Sequence, residues 1–295
     1  MIKNFCYFLE FVPLYLLGNL LAVLNRRTAM KLGCVLGQLA NKILASRMIL
    51  AQRNIEASFP GISVDRCQKI IEGCWKNLGL TAAELACTFS FPKQKYLKEV
   101  SAQNWESLQK AHAQGQGVLI LTGHFGAWEL CAQIFPFLGI PVSLVVRRIK
   151  NPWVNAWVNR RRRAFGNEII LARNAVRESI QHLKQGKMVI LLIDHRVTQG
   201  GLQIPFLGRA AYTTALPAIL ALRYRMPVYF IQTLRLNFFD GQRAQANFIP
   251  APNLDDLSAT PDGIARASER FNSVLEDWVR KIPEQWLWIH NRWKQ

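Results

Sequence analysis

The stretch VLILTGHFGAWEL at residues 118–130 places a histidine directly after an apolar run. The first five residues are apolar or β-branched and predict a short buried strand, whereas the following AWELCAQIFPFLG is typical of a helix. Gly123 and Gly126 flank His124 and suit a tight turn between the two elements. A histidine in such a turn lies at the carboxyl edge of the predicted sheet, where open α/β folds bind their ligands.

The rest of the chain predicts helices first and then an α/β sheet. Residues 29–60 and 63–86 contain apolar residues at helical spacing. Further along, helical segments alternate with five short apolar runs: GVLILTG, IPVSLVV, EIILA, MVILLID and MPVYFIQTLRL. This alternation predicts an α/β domain with a central mixed sheet flanked by helices. Because no internal repeat or low-complexity segment interrupts it, we expect residues 26–295 to form one domain.

The N-terminal segment FCYFLEFVPLYLLGNLLAVL, residues 5–24, differs from the remainder of the chain because it is almost continuously apolar. Its length matches the roughly 20 residues that a helix needs to cross a bilayer, although one glutamate, one proline and one asparagine interrupt it. Arg26 and Arg27 come directly after it and suit an anionic, cytoplasmic membrane surface. We therefore predict that residues 1–25 form a membrane anchor or interfacial helix, with a buried amphipathic helix as the alternative.

The composition is strongly basic. The 295 residues include 37 Lys and Arg against 19 Asp and Glu, which gives a formal net charge of +18. Such a surface attracts polyanions, so anionic lipid, an acidic protein and nucleic acid are all compatible partners. Charge is the sole argument for a nucleic-acid-binding protein, since the sequence has no recognisable motif of that class. The six cysteines lack CxxC or zinc-like spacing and predict reduced thiols.

Glu129 follows His124 by five residues, and the pair has the composition of a general-base site. On one continuous helix the two side chains would diverge, but with His124 in the turn Glu129 falls in the first helical turn and can reach the imidazole. A carboxylate on one ring nitrogen fixes the tautomer and leaves the other nitrogen to accept a proton. Amide groups of the turn around Gly123 and Gly126 would stabilise an oxyanion. A structural histidine remains the alternative, because H-x4-E alone is a weak motif.

Several segments together resemble the lipid A biosynthesis acyltransferase family, the late lauroyl/myristoyl type of Gram-negative bacteria. They occur in family order: the N-terminal apolar helix, GHFGAWEL, LARN, LLIDHR, IPFLGRAAYTTALPAILALRYRMPV and PEQWLWIHNRWK, which ends at Lys294. The resemblance implies a glycerolipid-acyltransferase-like fold and assigns His124 and Glu129 as the catalytic dyad. Glycerolipid acyltransferases also carry an F-P-E-G-T-type phosphate-binding block, which this sequence lacks, so the lipid A branch is favoured.

The resemblance also implies the reaction. His124 would deprotonate the hydroxyl of a 3-hydroxyacyl chain on a lipid A precursor, and the alkoxide would attack an acyl thioester on acyl carrier protein. This chemistry needs no cofactor, and the histidines form no metal-ligand cluster in the sequence. The implied location is the bacterial inner membrane, with the catalytic domain on the cytoplasmic face. An acyltransferase for a different glycolipid acceptor is the alternative.

Charged residues near the predicted strand ends are the substrate-binding candidates. Some follow the ends of three predicted strands, and the others belong to the run NRRRR at residues 159–163. The candidates are Arg147, Arg148, Arg161, Arg162, Arg163, Arg173 and Asp194. Together with Lys150 and Arg160, the arginines could bind the phosphates of a glycolipid acceptor or the acidic helix of a carrier protein. A solvated charge run is the alternative for the arginines. Asp194 is expected to be a structural or substrate-positioning carboxylate, with a turn or helix cap as the alternative.

Tryptophans mark two further segments. Trp286, Trp288 and Trp293 lie within the last ten residues and predict a C-terminal segment docked on the core. Trp153 and Trp157 are four residues apart, so they share one helix face next to the arginine run. Aromatic side chains beside cations suit a membrane interface.

Overall fold

The computed structural model describes residues 2–90, 92–197, 200–236 and 243–294. Its N-terminal part is helical. Its helices are α1 (Ile2–Val23), α2 (Arg26–Ile43), α3 (Ala45–Ser58) and α4 (Val64–Ala86). Asn25 caps α2 by accepting a hydrogen bond from the Thr28 amide. The helical pattern at residues 29–60 is thus two helices, which meet at Leu44 with a bend of 90°.

Strands and helices alternate through the rest of the described chain. In order they are α5 (Lys93–Glu99), β1 (Val100–Gln103), α6 (Trp105–Ala113), β2 (Leu119–Thr122), α7 (Trp128–Cys131), α8 (Ile134–Phe137), β3 (Val142–Val146), α9 (Pro152–Arg162), β4 (Glu168–Leu171), α10 (Ala175–Lys184), β5 (Met188–Leu192), β6 (Gly201–Phe206), β7 (Arg209–Thr214), α11 (Leu216–Tyr224), β8 (Val228–Arg235), β9 (Ala244–Pro250) and α12 (Pro261–Lys281). The five strands predicted from the sequence are β2, β3, β4, β5 and β8.

The central sheet has seven strands in the order β1-β9-β8-β2-β5-β3-β4. Strands β8 and β9 pair antiparallel, and the other neighbours in this sheet pair parallel. The predicted mixed sheet flanked by helices is therefore confirmed. β6 and β7 form a separate antiparallel hairpin, which the sequence pattern did not predict.

The two faces of the sheet bury two different apolar clusters. Leu119 and Leu121 of β2 belong to one cluster with residues of α4, α11 and α12, whereas Ile120 belongs to the other with residues of α6 and α8. This follows from the strand geometry, because successive side chains point to opposite faces. Both faces of β2 are therefore covered, and functional groups lie at the end of the strand.

Helix α1 is long and apolar enough to cross a membrane, judged by length and composition alone. It packs along α9, where the rings of Phe8 and Phe11 lie 5.5 and 6.2 Å from that of Trp153. A Cβ atom at Gly18 would lie 2.7 Å from the Trp157 ring, so the two helices approach closely at this point. The division into residues 1–25 and 26–295 remains a prediction.

Candidate active site

Neighbouring strands bring His124 and Asp194 to one edge of the sheet. β2 and β5 are parallel, and their last paired residues are Thr122 and Leu192. The Ile193 amide continues the pairing by donating a hydrogen bond to the Thr122 carbonyl at 2.9 Å. His124 and Asp194 each lie two residues beyond the last pair, so the register itself sets their side chains together at the carboxyl edge.

Asp194 is the hydrogen-bond partner of the His124 imidazole. His124 Nδ1 lies 2.8 Å from Asp194 Oδ1, and the His124 backbone amide donates to Oδ2 at 2.7 Å. The Asp194 side chain is fully buried, whereas that of His124 is 20% exposed. Because the carboxylate accepts from Nδ1, the proton sits on that nitrogen and Nε2 carries the lone pair. This is the arrangement of an imidazole poised to act as a base.

Burial and neighbouring charges set the protonation of the site. Burial raises the pKa of Asp194, but the positive charge of His124 and its hydrogen bond outweigh that effect and hold the pKa well below its ordinary value. Burial lowers the pKa of His195 to about 3. The His195 ring centroid lies 4.2 Å from that of His124, so a neutral imidazole packs against His124 at physiological pH.

Glu129 does not make the contact with His124 that its sequence position predicts. Its carboxylate forms a two-point ion pair with Arg162, whose Nε donates at 3.1 Å and whose Nη2 donates to the second oxygen. Burial raises the pKa of Glu129, but Arg162 more than offsets this, and the pKa lies below its ordinary value. The charge of His124 also lowers this pKa, so the two groups interact electrostatically without a hydrogen bond.

The helix predicted after the turn is also shorter than expected. It consists of two single-turn helices, α7 and α8. Glu129 lies in the first turn of α7, as predicted, but α9 runs close enough for Arg162 to capture the carboxylate. The predicted hydrogen bond from Glu129 to the imidazole is corrected accordingly, because a bidentate guanidinium is the stronger partner.

Close packing explains both glycines of the turn: Gly126 lies against backbone and Gly123 against side chains. Gly126 has φ +58°, and a Cβ atom there would lie 1.6 Å from the Thr233 carbonyl oxygen. A Cβ atom at Gly123 would lie 2.8 Å from Leu275 Cδ2 and 3.1 Å from Asp194 Oδ2. Any other residue at Gly126 would push the turn away from β8.

The amides of this turn are occupied, contrary to the prediction that they bind an oxyanion. In addition to the His124 amide, the Phe125 amide donates to Gly123 O at 2.8 Å. The Gly126 amide donates to Gln285 O at 2.9 Å, and the Ala127 amide to Thr233 O at 3.0 Å. These four amides hold the turn in place and have no hydrogen left for a substrate oxygen.

The histidines are more clustered than the sequence suggests. The potential ligand atoms of His124, Asp194 and His195 lie within 4.8 Å of one another, so the prediction that the histidines form no cluster is wrong. Both Asp194 oxygens already accept hydrogen bonds, one from the imidazole and the other from the His124 amide and the Trp286 indole. This donor set fits a hydrogen-bonded proton-transfer group.

The arginine run divides between the interior and the surface. The Arg161 guanidinium carbon lies 3.4 Å from the Trp157 ring centroid, and burial lowers the pKa of Arg161 to about 10. Arg162 is held by Glu129, whereas Arg163 is exposed. The prediction of one substrate-facing run is corrected, because a helix directs consecutive side chains to different sides.

The other arginine candidates are exposed. Arg147 lies just beyond β3, and its charge contributes to lowering the pKa of His195, which places it near the site. Arg148 and Arg173 are exposed as well. Their roles in substrate binding remain predictions.

Residues of the C-terminal segment join the site unexpectedly. Trp286 Nε1 donates a hydrogen bond to Asp194 Oδ2 at 2.9 Å, and His290 Nε2 lies 3.0 Å from the Asp194 carbonyl oxygen. The predicted docking of this segment on the core is confirmed for Trp286 and Trp288, which are fully buried. Its contact with Asp194 has no signal in the sequence, because the two segments lie 92 residues apart.

The chain is similar to bacterial acyltransferases along nearly its whole length. The protein-family model for bacterial lipid A biosynthesis acyltransferase matches residues 5–295. A lipid A biosynthesis lauroyltransferase of Escherichia coli K12 is 27% identical over 270 residues, which cover 90% of this chain and 84% of the relative. A lipid A biosynthesis palmitoleoyltransferase of the same strain is 26% identical over 265 residues, covering 89% and 84%. A lipid A biosynthesis acyltransferase of Haemophilus influenzae is 23% identical over 287 residues, covering 97% and 84%.

Proposed function

The chain belongs to the bacterial lipid A biosynthesis acyltransferase family, and we propose that it transfers a fatty acyl chain from acyl carrier protein to a lipid A precursor. The acceptor is the hydroxyl of a 3-hydroxyacyl chain, so the reaction is an O-acyl transfer. The observation that carries this proposal is the hydrogen bond between His124 Nδ1 and the buried Asp194 carboxylate.

His124 is the general base of the proposed reaction. Its Nε2 removes the hydroxyl proton while the alkoxide oxygen attacks the thioester carbonyl carbon. The tetrahedral intermediate then breaks its carbon–sulfur bond and expels a thiolate, which takes the proton back from the imidazolium. Asp194 stabilises the imidazolium between these steps, because its negative charge lies against Nδ1.

Glu129 supports His124 through its charge in this proposal. The two side chains interact electrostatically, while Arg162 holds the carboxylate in one orientation. The ion pair also holds the Arg162 guanidinium in a partly buried position. We thus retain His124 and Glu129 as a functional pair. The negative charge of Glu129 acts on the His124 imidazole through space, without a direct hydrogen bond.

Exposed cations bind the substrates. Arg147 and Arg148 lie beyond β3, at the same carboxyl edge as His124. Their guanidinium groups are suited to the phosphates of the acceptor and to an acidic carrier protein. Arg163 and Arg173 are further exposed candidates for the same contacts.

We also propose that the protein is located at the bacterial inner membrane, with its catalytic domain on the cytoplasmic face. Helix α1 exposes large apolar side chains that include Phe5, Leu16 and Val23. Exposed apolar surface of this kind is stabilised by lipid. Deletion of residues 1–25 should therefore reduce the fraction of the protein that sediments with membranes.

Mass spectrometry of the products tests the activity. The purified full-length protein is incubated with acyl carrier protein loaded with chains of 12 to 16 carbons and with a lipid A precursor. We expect the mass of one acyl chain to be added, and His124→Gln to lower the rate by at least about 100-fold. His112→Gln is the matched control, because His112 lies on α6 and its Nε2 contacts Gly186 O. Transfer to another glycolipid alone would reject the proposed acceptor.

A further inference from the structure

We propose that residues 285–287, here termed the C-terminal clamp, position the His124–Asp194 pair, with the Trp286 indole N–H as a positioning group of the site. The catalytic meaning of this inference rests on the proposed function. The contacts themselves are a property of the fold.

The backbone of the clamp pairs with that of residues 123–127, the turn that carries His124 and is here termed the catalytic turn. Gln285 O accepts a hydrogen bond from the Gly126 amide at 2.9 Å, and the Leu287 amide donates to His124 O at 3.1 Å. Phe125 and Trp286 form an antiparallel bridge between these two bonds. The turn that carries His124 is therefore held on both sides of Phe125, at His124 itself and at Gly126, by a segment more than 150 residues away in sequence.

The clamp is itself tied to the end of β8. The Gln285 side chain accepts from the Arg235 amide at 2.9 Å and donates to Arg235 O at 2.7 Å. This pair of hydrogen bonds fixes the position of the clamp relative to the end of β8. Displacement of the clamp would thus require breaking bonds to both β8 and the catalytic turn.

Trp286 acts on the charge of Asp194 as well as on its position. Its buried indole donates to Oδ2 at 2.9 Å, and its ring packs against that of Trp288 at 4.6 Å. An N–H donor stabilises the carboxylate and so weakens its pull on the His124 proton. Loss of this donor leaves more negative charge on the carboxylate facing His124 Nδ1, and the imidazolium form becomes more favourable.

The other groups that act on Asp194 are present in the wild type and in the Trp286 variants alike. Charged or titratable side chains whose fields reach it are His124, His195, His290 and Arg292. Burial keeps His195 neutral, and burial lowers the pKa of Arg292 to about 10, so it stays cationic at neutral pH. A change in the titration of His124 on removal of the indole N–H would therefore report the Trp286 contact.

Two matched variants of the full-length protein test the inference. Trp286 and Trp288 are both fully buried and each donates one hydrogen bond, but the Trp288 indole donates to Pro283 O at 2.7 Å. In detergent micelles, histidine-labelled protein is titrated by NMR, and the His124 signal is assigned with His124→Gln. We expect the His124 signal of Trp286→Phe to titrate at higher pH than that of the wild type, and the His124 signal of Trp288→Phe to titrate as in the wild type.

The rate profile supplies the second measurement. The acid limb of kcat/KM against pH should move upward by the same amount in Trp286→Phe, because more of the base is protonated at a given pH. Trp286→benzothienylalanine removes the N–H while keeping the ring shape, so a packing defect cannot account for the shift.

The inference is overturned if His124 titrates identically in the wild type, in Trp286→benzothienylalanine and in Trp288→Phe. The titration needs no substrate, so it remains informative if the wild type transfers no acyl chain to a lipid A precursor. That result would reject the proposed function, whereas a shifted His124 titration would still support the clamp.

Discussion

His124 has two acidic neighbours with different tasks. Asp194 contacts Nδ1 directly, whereas Glu129 is bound to Arg162 and reaches the imidazole through its field. A bidentate guanidinium holds a carboxylate rigidly, which prevents Glu129 from taking the proton of the base. In the proposed mechanism, this division lets a histidine followed five residues later by a glutamate function without a hydrogen bond between them.

The ion pair and the catalytic charge can be separated with three variants. Glu129→Gln should lower activity by at least about 100-fold and should also destabilise the fold by about 1–3 kcal/mol, since Arg162 loses its partner. Arg162→Met should destabilise the fold because it leaves Glu129 unpaired. Glu129→Gln combined with Arg162→Met removes both charges, so the free energy of unfolding should recover while activity stays low.

Urea unfolding and product formation on the same preparations provide the two measurements. Near-wild-type activity in the double variant would contradict the role of Glu129, because it would mean that the carboxylate serves Arg162 alone.

At the scale of secondary structure, the site depends on how closely the catalytic turn approaches β8. Gly126 combines a positive φ, which favours glycine, with a Cβ position 1.6 Å from Thr233 O, so the contact leaves no room for a side chain. Gly139 has a similar positive φ of +88°, but nothing lies within 4 Å of its Cβ position. The two glycines therefore differ in contact while sharing a backbone conformation.

This difference gives a paired prediction. Gly139→Ala should cost about 1–2 kcal/mol through its backbone angle alone and should leave turnover close to the wild-type value. Gly126→Ala should cost more, because Thr233 O or the turn must move, and should lower kcat by displacing His124. Thermal unfolding and initial rates compare the two, and equal losses of stability would show that the contact with β8 contributes nothing.

Across the whole molecule, two exposed arginines share one edge of the sheet with the candidate site. Strands β2, β3 and β5 all end at this edge, where His124, Asp194 and the exposed Arg147 and Arg148 follow them. Some arginines are internal instead: Arg161 stacks on Trp157, and Arg235 forms a buried ion pair with Glu84. These two guanidinium groups therefore contribute to the net charge of +18 without being available to a substrate.

Charge reversal at the edge tests this distribution. Arg147→Glu combined with Arg148→Glu should raise KM for donor or acceptor by about 10-fold or more while lowering kcat less, since these groups bind ground and transition states alike. The dependence of KM on salt should also weaken, because screening over a Debye length of about 8 Å acts on exposed pairs. Arg223→Glu is the control, since Arg223 lies on α11 just before β8 and thus near the amino edge. An unchanged KM in the double variant would reject these two arginines as substrate contacts.

Local pattern was sufficient for much of the fold. The runs that became β2, β3, β4, β5 and β8 were predicted because each is a short, mostly continuous apolar run typical of a buried strand, and such a run is a local property. The position of His124 after β2 and of Asp194 after β5 followed for the same reason. Strands β1 and β9 and the β6–β7 hairpin were missed, since their apolar runs are interrupted by small and polar residues.

Long-range packing set the partnerships within the site. Local pattern alone put His124 and Asp194 at strand ends, but the pairing of β2 with β5 made them meet across 70 residues. Glu129 is five residues from His124, yet it binds Arg162 of α9, which is 33 residues away and forms the stronger, bidentate contact. Trp286 reaches Asp194 across 92 residues because the C-terminal segment packs over the catalytic turn. Hydrogen bonds form between groups that are close in space, and only register and helix packing, which no local pattern encodes, bring these groups together.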